Sequence, residues 1–165
     1  MKNKRSELII RIVFILLSIL WMIVIYSFSA EPAVESDETS GLVMAFIADL
    51  FDIADPELFA LRYEVVLRKC AHATEYMILT LLLYAASYRK KGSCISNMML
   101  PFVIAVLYAC SDEYHQLFVP GRDGDLKDVF IDSSGAAFAV AVITFLRIKN
   151  LKEIKVKNTG NDYGE

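Results

Sequence analysis

The sequence has little of what several common protein classes require. It holds seven Gly and four Pro in 165 residues, which excludes collagen-like and Gly/Pro-rich chains. It has no basic excess, because the formal net charge is −3, and this argues against a nucleic-acid partner. The hydrophobic fraction of 56% is too high for a disordered chain. Its three cysteines are odd in number and lack metal-site spacing, so we interpret them as small apolar residues.

Long apolar runs dominate the sequence instead, at about 8–28, 70–88, 98–117 and 129–148. Each is about 20 residues long, which is enough for a helix to cross the hydrocarbon of a bilayer. The first run is longer than the apolar region of a cleaved signal peptide and has no clean Ala-x-Ala site. A soluble bundle would need a polar stripe along each helix, and the first and fourth runs show none. We therefore predict an all-α integral membrane bundle of four transmembrane helices, forming one domain over residues 1–148.

The charges are divided unevenly between the two sides of such a bundle. With four spans, the N-terminal segment, the connection at 89–91 and the C-terminal tail share one side, which holds 12 of the 17 basic residues. The opposite side, with its adjoining helix ends, holds 16 of the 20 acidic residues. The positive-inside rule makes the basic side cytoplasmic. We therefore predict a multi-pass membrane protein with both termini in the cytoplasm and a basic, disordered tail over residues 149–165.

The connection between the first two spans is predicted to form an extracytoplasmic helical segment at about 40–67. Apolar residues with helical spacing define one face of its first part: Leu42, Val43, Phe46, Ile47, Leu50 and Phe51. Asp55-Pro56 then interrupts the chain, and Glu57 to Leu67 form a helix that runs into the second span. We expect the apolar face to pack on the bundle as a cap. The alternative is an interfacial helix that touches the outer leaflet or a lipid-like substrate.

Polar side chains converge at the outer ends of the last three spans. The second span carries His72 and Glu75, the third Asp112, Glu113, His115 and Gln116, and the fourth Asp128 and Asp132, with Lys69 and Arg122 adjacent. Ionisable groups in membrane helices are costly and usually face the bundle interior or a water-filled cavity. We therefore predict an outward-facing polar site. The alternative is a structural network in which Arg122 pairs with Asp128 or Asp132. The small residues Gly135, Ala136 and Ala139 would let another helix approach the fourth span closely.

Each member of this site receives an expected role. The catalytic candidates are Glu75 and Glu113 as bases and His115 as a proton carrier. The candidates for substrate binding are Lys69, His72, Asp112, Gln116, Arg122, Asp128 and Asp132. No cofactor is required by the pattern, but a zinc ion held by His72, Glu75, Glu113 and His115 is one hypothesis. A calcium site at Asp123, Asp125 and Asp128 is disfavoured, because the spacing departs from the EF-hand pattern.

Three segments of the chain resemble the VanZ-like family of bacterial membrane proteins. They are Arg68-Lys69-Cys70-Ala71-His72-Ala73-Thr74-Glu75-Tyr76, the run from Ser111-Asp112-Glu113 to Pro120-Gly121-Arg122, and Asp128-Val129 with Asp132-Ser133-Ser134-Gly135. The resemblance covers about residues 10–148. It implies a role in the bacterial cell envelope, either low-level resistance to the lipoglycopeptide teicoplanin or the handling of a lipid-linked envelope component. It names no catalytic residue.

Three kinds of function follow, and the sequence leaves open whether the protein is an enzyme. The first is a non-catalytic membrane protein whose outer face binds a lipoglycopeptide or a lipid-linked wall precursor, with membrane lipid around it. The second is a membrane hydrolase or transferase that uses Glu113 or Glu75 as the base. The third is a small transporter with the acids as a proton relay. It ranks last because four helices form a narrow path, so it would have to work as an oligomer.

Overall fold

The computed structural model describes residues 2–89 and 93–161, and almost all of them are helical. Five helices follow one another along the chain: α1 (Lys2–Ser29), α2 (Ala33–Leu50), α3 (Pro56–Ser87), α4 (Cys94–Gln116) and α5 (Leu126–Asn161). No strand occurs in these two ranges, so the predicted all-α class is confirmed.

Three of the described helices are long and apolar enough to cross a membrane, not four as predicted. They are Lys4–Ser29 in α1, Ile95–Gln116 in α4 and Leu126–Asn150 in α5. The difference lies in α3, whose apolar half also carries His72 and Glu75 and is therefore less hydrophobic than the other three. The side chains of α1 are mostly apolar and exposed on the surface of the bundle, as expected for a helix that faces lipid.

The second half of α3 lies at the centre of the bundle, where it packs against α1, α4 and α5. The core consists of six fully buried residues from these four helices: Ile25, Tyr76, Leu79, Ala105, Ala109 and Ala136. Two hydrogen bonds join the helices beside it. The Trp21 indole donates to the Glu75 carbonyl at 3.0 Å, and the Tyr108 hydroxyl donates to the Met22 carbonyl at 2.6 Å. The helix that carries His72 and Glu75 is thus fixed from several sides.

Small residues bring α5 against α3, as the sequence predicts. A Cβ atom built on Gly135 would collide with the carbonyl oxygen of Ala73. Ala136 and Ala139 are also buried in α5. The close approach of the two backbones places Asp132, one turn before Ala136, beside His72, which neighbours Ala73.

The outer segment differs from its prediction in its start and in its packing. Helix α2 begins at Ala33 rather than at about residue 40, and it packs on α3 through Met44 and Ala48. The apolar face that we expected to form a cap is largely exposed, with Leu42 at 75% and Phe46 at 67%. The cap prediction is therefore wrong. The physical reason is the position of α2, because it packs beside the first half of α3 and that helix covers only one of its faces.

The connection between α2 and α3 is short and capped. The Asp55 side chain accepts a hydrogen bond from the Leu58 amide at 3.0 Å, and Pro56 occupies the first helical position. Helix α3 then continues without a break to Ser87, so the predicted outer helix and the second apolar run form one helix.

The end of the bundle opposite to these connections is closed by cationic and amide side chains. Arg11 donates to the Tyr88 carbonyl at 3.0 Å, and the Arg147 guanidinium lies 5.3 Å from the centre of the Tyr88 ring. The Asn97 side chain accepts from the Arg89 amide at 3.1 Å and donates to the Arg89 carbonyl at 3.0 Å. Lys90 and Lys91 of the predicted basic connection lie outside the described residues.

Helices α4 and α5 extend beyond their predicted limits. Helix α4 begins at Cys94 rather than at residue 98, because the Ser93 hydroxyl caps it by accepting from the Ser96 amide at 3.0 Å. Helix α5 continues to Asn161, so residues 149–161, which we expected to be disordered, are helical. The last four residues of that predicted tail lie outside the described part of the chain.

Candidate functional site

A polar cavity of about 310 Å³ lies at the end of the bundle where α4 ends and α5 begins. Helices α2, α3, α4 and α5 and the connection between α4 and α5 contribute its walls. Its polar lining consists of Asp37, Arg68, Lys69, His72, Glu113, Gln116, Arg122, Asp123, Asp128 and Asp132. The structure thus gathers most of the predicted site residues at one cavity, from three stretches that are far apart in sequence.

A second cavity of about 240 Å³ adjoins the polar one. Its surface is mostly apolar, although polar side chains such as Ser36 and Thr39 also line it, and we call it the apolar cavity. The two share Arg68, His72 and Arg122 as lining residues. The apolar cavity lies between the end of α1, helix α2 and the middle of α3. Phe28 and Val43 contribute to its walls, and Glu75 also lies there rather than in the polar cavity.

Each basic side chain of the two cavities already has a partner. Lys69 Nζ lies 2.8 Å from Asp128 Oδ1, and Arg68 forms a 2.8 Å ion pair with Asp37. The alternative network, in which Arg122 pairs with Asp128 or Asp132, does not form among the described residues: Asp128 pairs with Lys69, and the basic neighbour of Asp132 is His72.

Arg122 instead fixes the connection between α4 and α5 to the end of α1. Its guanidinium donates to the Glu31 carbonyl at 2.9 Å and to the Phe28 carbonyl at 3.2 Å, which satisfies carbonyls at a helix C-terminus. Burial in this position lowers the pKa of the Arg122 guanidinium from its ordinary value, but arginine remains charged in proteins. Gly121 makes the turn with a φ of +76°, a conformation that favours glycine.

Glu113 holds the start of α5. Its Oε2 atom accepts a hydrogen bond from the Asp125 amide at 3.0 Å. Asp125 in turn caps α5 by accepting from the Lys127 amide at 2.9 Å, and this bond lowers the pKa of the Asp125 carboxyl. Gly124 makes this close approach feasible, because a Cβ atom there would collide with the Glu113 carbonyl.

Three titratable side chains meet beside the polar cavity, and two of them, His72 and Asp132, line it. His72, Asp112 and Asp132 each offer one ligand atom, and the three atoms lie within 4.8 Å of one another. His72 Nδ1 and Asp132 Oδ1 are 3.8 Å apart. Asp132 is fully buried and its carboxyl group makes no hydrogen bond within the described chain, whereas Asp112, 3% exposed, has Ser29 and Gln116 as neighbours. Such a set suits a cation or a shared proton.

The remaining predicted catalytic and metal residues lie elsewhere. Glu75 Oε2 is 3.9 Å from His72 Nδ1, on the side of the apolar cavity. The His115 ring packs 4.7 Å from the Tyr26 ring, and its Nε2 atom is buried without a hydrogen bond. The expected zinc ligands His72, Glu75, Glu113 and His115 are thus not gathered around one point, and His72 instead meets two aspartates from α4 and α5.

Among the lining residues missed from the sequence are the two that form an ion pair at the polar cavity, Arg68 and Asp37. Arg68 could have been predicted, because it directly precedes the predicted site residue Lys69 in a segment that resembles the family. Asp37 carried no such signal, because its place depends on α2 starting at Ala33 and packing antiparallel to α3.

The comparisons with known proteins agree with this architecture at the level of the family. A family model described as VanZ/LLP1 matches residues 14–147, which include all three spans' apolar cores and both cavities. No curated protein and no solved structure matches the chain.

Proposed function

The chain belongs to the VanZ/LLP1 family, and from that premise we propose that it is a cell-envelope membrane protein that binds a lipid-tailed ligand at its outer face. The ligand class is a lipoglycopeptide of the teicoplanin type or a lipid-linked envelope component. In the first case the protein would give low-level resistance to that antibiotic.

One observation carries this proposal, namely that a polar and an apolar cavity adjoin and share three lining residues. An amphipathic molecule needs both environments at once. Its polar head would meet Arg68 and Lys69 in the polar cavity, where a charge-assisted hydrogen bond to an anion is strong. Its hydrocarbon chain would follow Phe28 and Val43 in the apolar cavity.

The proposal includes a fourth span formed by residues 70–87 of α3. Support comes from packing, because this half of α3 lies between the three candidate spans and so shares their depth. Its 18 residues cover about 27 Å, close to the hydrocarbon thickness of a bilayer. His72 and Glu75 reduce its hydropathy, but inside a bundle such groups need not face lipid.

Orientation follows from the charges. The end that holds Arg11 and Arg147 is the cytoplasmic end by the positive-inside rule, and the cavities then open outwards. Cysteine labelling tests this in a chain without its native cysteines. A Glu38→Cys variant should react with an impermeant reagent on intact cells, whereas Ser93→Cys should react only after permeabilisation. Equal labelling of both on intact cells would overturn the four-span topology.

The exposed face of α2 fits the same arrangement. With the cavities outside, Leu42, Phe46 and Leu50 lie at the level of the outer leaflet, where apolar side chains of an interfacial helix are stabilised. A ligand anchored in that leaflet would then reach the apolar cavity through its membrane side, beside Val43.

The binding proposal is tested with the single tryptophan of the chain. Trp21 bonds the carbonyl of Glu75, which lines the apolar cavity, so occupation of that cavity should alter its fluorescence. We expect teicoplanin to change the Trp21 emission of the purified protein with saturation, and its deacylated core to bind at least ~10-fold more weakly, a difference of about 1.4 kcal/mol. Equal affinity for both compounds would contradict the proposal that the apolar cavity binds the hydrocarbon chain.

A matched pair of variants adds specificity to this experiment. Val43→Asn places an amide in the apolar cavity and should weaken teicoplanin binding and the resistance of a complemented deletion strain. Val34→Asn makes the same change on α2 at a residue that is 70% exposed and lines neither cavity. We expect this control to behave like the wild type.

A membrane-embedded hydrolase or transferase is the second candidate, and the group of His72, Asp112 and Asp132 favours it. A histidine and two carboxylates beside a cavity that admits a polar head group are suited to general acid–base or metal-assisted chemistry. Incubation with radiolabelled lipid-linked wall precursor separates the two functions. Product formation that is lost in His72→Gln would make the protein an enzyme, whereas recovery of unchanged precursor would favour binding alone.

A further inference from the structure

Asp112 and Asp132 place two carboxyl groups close together in the buried part of the bundle. Asp132 is fully buried and its carboxyl oxygens have no hydrogen-bond partner within the described residues, and Asp112, nearly as buried, has Ser29 and Gln116 beside its carboxyl group. Gln116 donates to the Ser29 hydroxyl at 3.3 Å, and both side chains keep an N–H or O–H for Asp112, but these neutral groups add no positive charge. Burial of a carboxylate without a positive partner costs several kcal/mol, so two adjacent ones call for a compensating group.

The basic side chains nearby do not supply that group. Lys69 pairs with Asp128, Arg68 pairs with Asp37, and Arg122 bonds the carbonyls at the end of α1. The remaining neighbour is His72, whose Nδ1 atom is 3.8 Å from Asp132 and is itself buried without a hydrogen bond. Three buried side chains from α3, α4 and α5 therefore face one another, and two of them, His72 and Asp132, have no hydrogen-bond partner in the described chain for the facing atoms.

We propose that His72, Asp112 and Asp132 bind a divalent transition-metal ion. Their ligand atoms lie within 4.8 Å of one another. Ligand atoms around a tetrahedral ion with bonds of about 2.1 Å are roughly 3.4 Å apart, so the three side chains have to approach one another by about 1 Å to hold it. One imidazole and two carboxylates favour Zn²⁺ or Mn²⁺ over Ca²⁺ and Mg²⁺, which prefer oxygen ligands alone.

The proposed metal site needs only an ion, whereas the two cavities are proposed to hold a lipid-tailed ligand. Its three residues converge on a single point, and the ion offsets the charge of both aspartates without any lipid-tailed ligand. Glu75 Oε2, at 3.9 Å from His72 Nδ1, is the nearest additional donor. Metal binding is therefore expected in the ligand-free protein and does not depend on the proposed function.

The test uses Mn²⁺ as a probe on the purified full-length chain in detergent, after treatment with EDTA. Bound Mn²⁺ loses the six-line electron paramagnetic resonance signal of the free ion. We expect one Mn²⁺ per chain, displaced by Zn²⁺, as the order of affinities for divalent metals requires. Asp132→Asn and His72→Gln should each lower the affinity at least ~10-fold, the range seen when metal sites lose a supporting group.

Asp128→Asn is the matched control, because Asp128 lines the same cavity but pairs with Lys69. We expect it to keep one Mn²⁺ per chain. His72→Gln keeps the test conclusive if Asp132→Asn does not fold. The proposal is overturned if the wild type binds no Mn²⁺ while infrared spectra show a neutral carboxyl band that Asp132→Asn removes, because a proton then compensates the pair. It is also overturned if Asp128→Asn loses the ion as completely as His72→Gln.

Discussion

The two ends of the bundle use polar side chains in different ways. At the end with the N-terminus of α1, Arg11 and Asn97 bond backbone groups of Tyr88 and Arg89, so each side chain completes the structure of a helix terminus. At the cavity end, Asp112 and Asp132 are buried close together, and Asp132 makes no hydrogen bond within the described chain. Polar side chains that bond a helix terminus are explained by the stability that they add. Carboxyl groups that are buried at a cost to folding stability indicate a function instead.

Both ends depend on the contact between α3 and α5, so breaking it should have the largest effect. A Cβ atom at Gly135 collides with the Ala73 carbonyl, and backbone cannot yield as a side chain can. We expect Gly135→Ala to destabilise the protein by about 1–3 kcal/mol in thermal unfolding and to abolish Mn²⁺ binding. Gly41→Ala is the control, because it lies inside α2 with nothing within 4 Å of a new Cβ. It should gain roughly 0.5–1 kcal/mol.

Two substitutions, one at each end of the bundle, should differ in the direction in which they change the stability of the protein. Asn97→Ala removes both hydrogen bonds to Arg89 and should lower the free energy of unfolding by about 1–3 kcal/mol, with ligand and Mn²⁺ binding unchanged. Asp112→Asn removes a buried charge and should leave the metal-free protein as stable as the wild type or on the order of 1 kcal/mol more stable. It should also lose Mn²⁺. If Asp112→Asn destabilises the metal-free protein as much as Asn97→Ala does, the contrast between the ends disappears.

The parts of this architecture that the sequence predicted are those set by local pattern. Apolar runs fix α1, α4 and α5, and the small residues around Gly135 fix where α5 meets another helix. Polar residues confined to one end of each run predicted a site at that end of the bundle. This prediction is possible because the position of a residue in the sequence of a helix gives its height along the helix axis.

The rotation of each helix about its axis could not be predicted in the same way. Asp112 and His115 share a face of α4, yet one meets His72 and the other packs on Tyr26, because the face is wide enough to contact two helices. The proposed zinc set failed to assemble for this reason. The apolar face of α2 was read correctly as apolar, but its sequence does not say whether protein or lipid covers it.

The smallest effect on stability is expected at Lys69, and it gives the finest test of the cavity end. The ion pair with Asp128 is partly exposed on both sides, so Lys69→Gln should change the free energy of unfolding by less than about 1 kcal/mol. Its effect on teicoplanin binding, read from Trp21 fluorescence, should be larger, up to ~10-fold, because the charge lines the polar cavity. Lys127→Gln breaks an ion pair to Asp125 that is more exposed and lines neither cavity, and it should leave binding unchanged. Equal effects of the two variants would mean that the cavity end acts only through its overall charge, and that Lys69 has no place in a defined site.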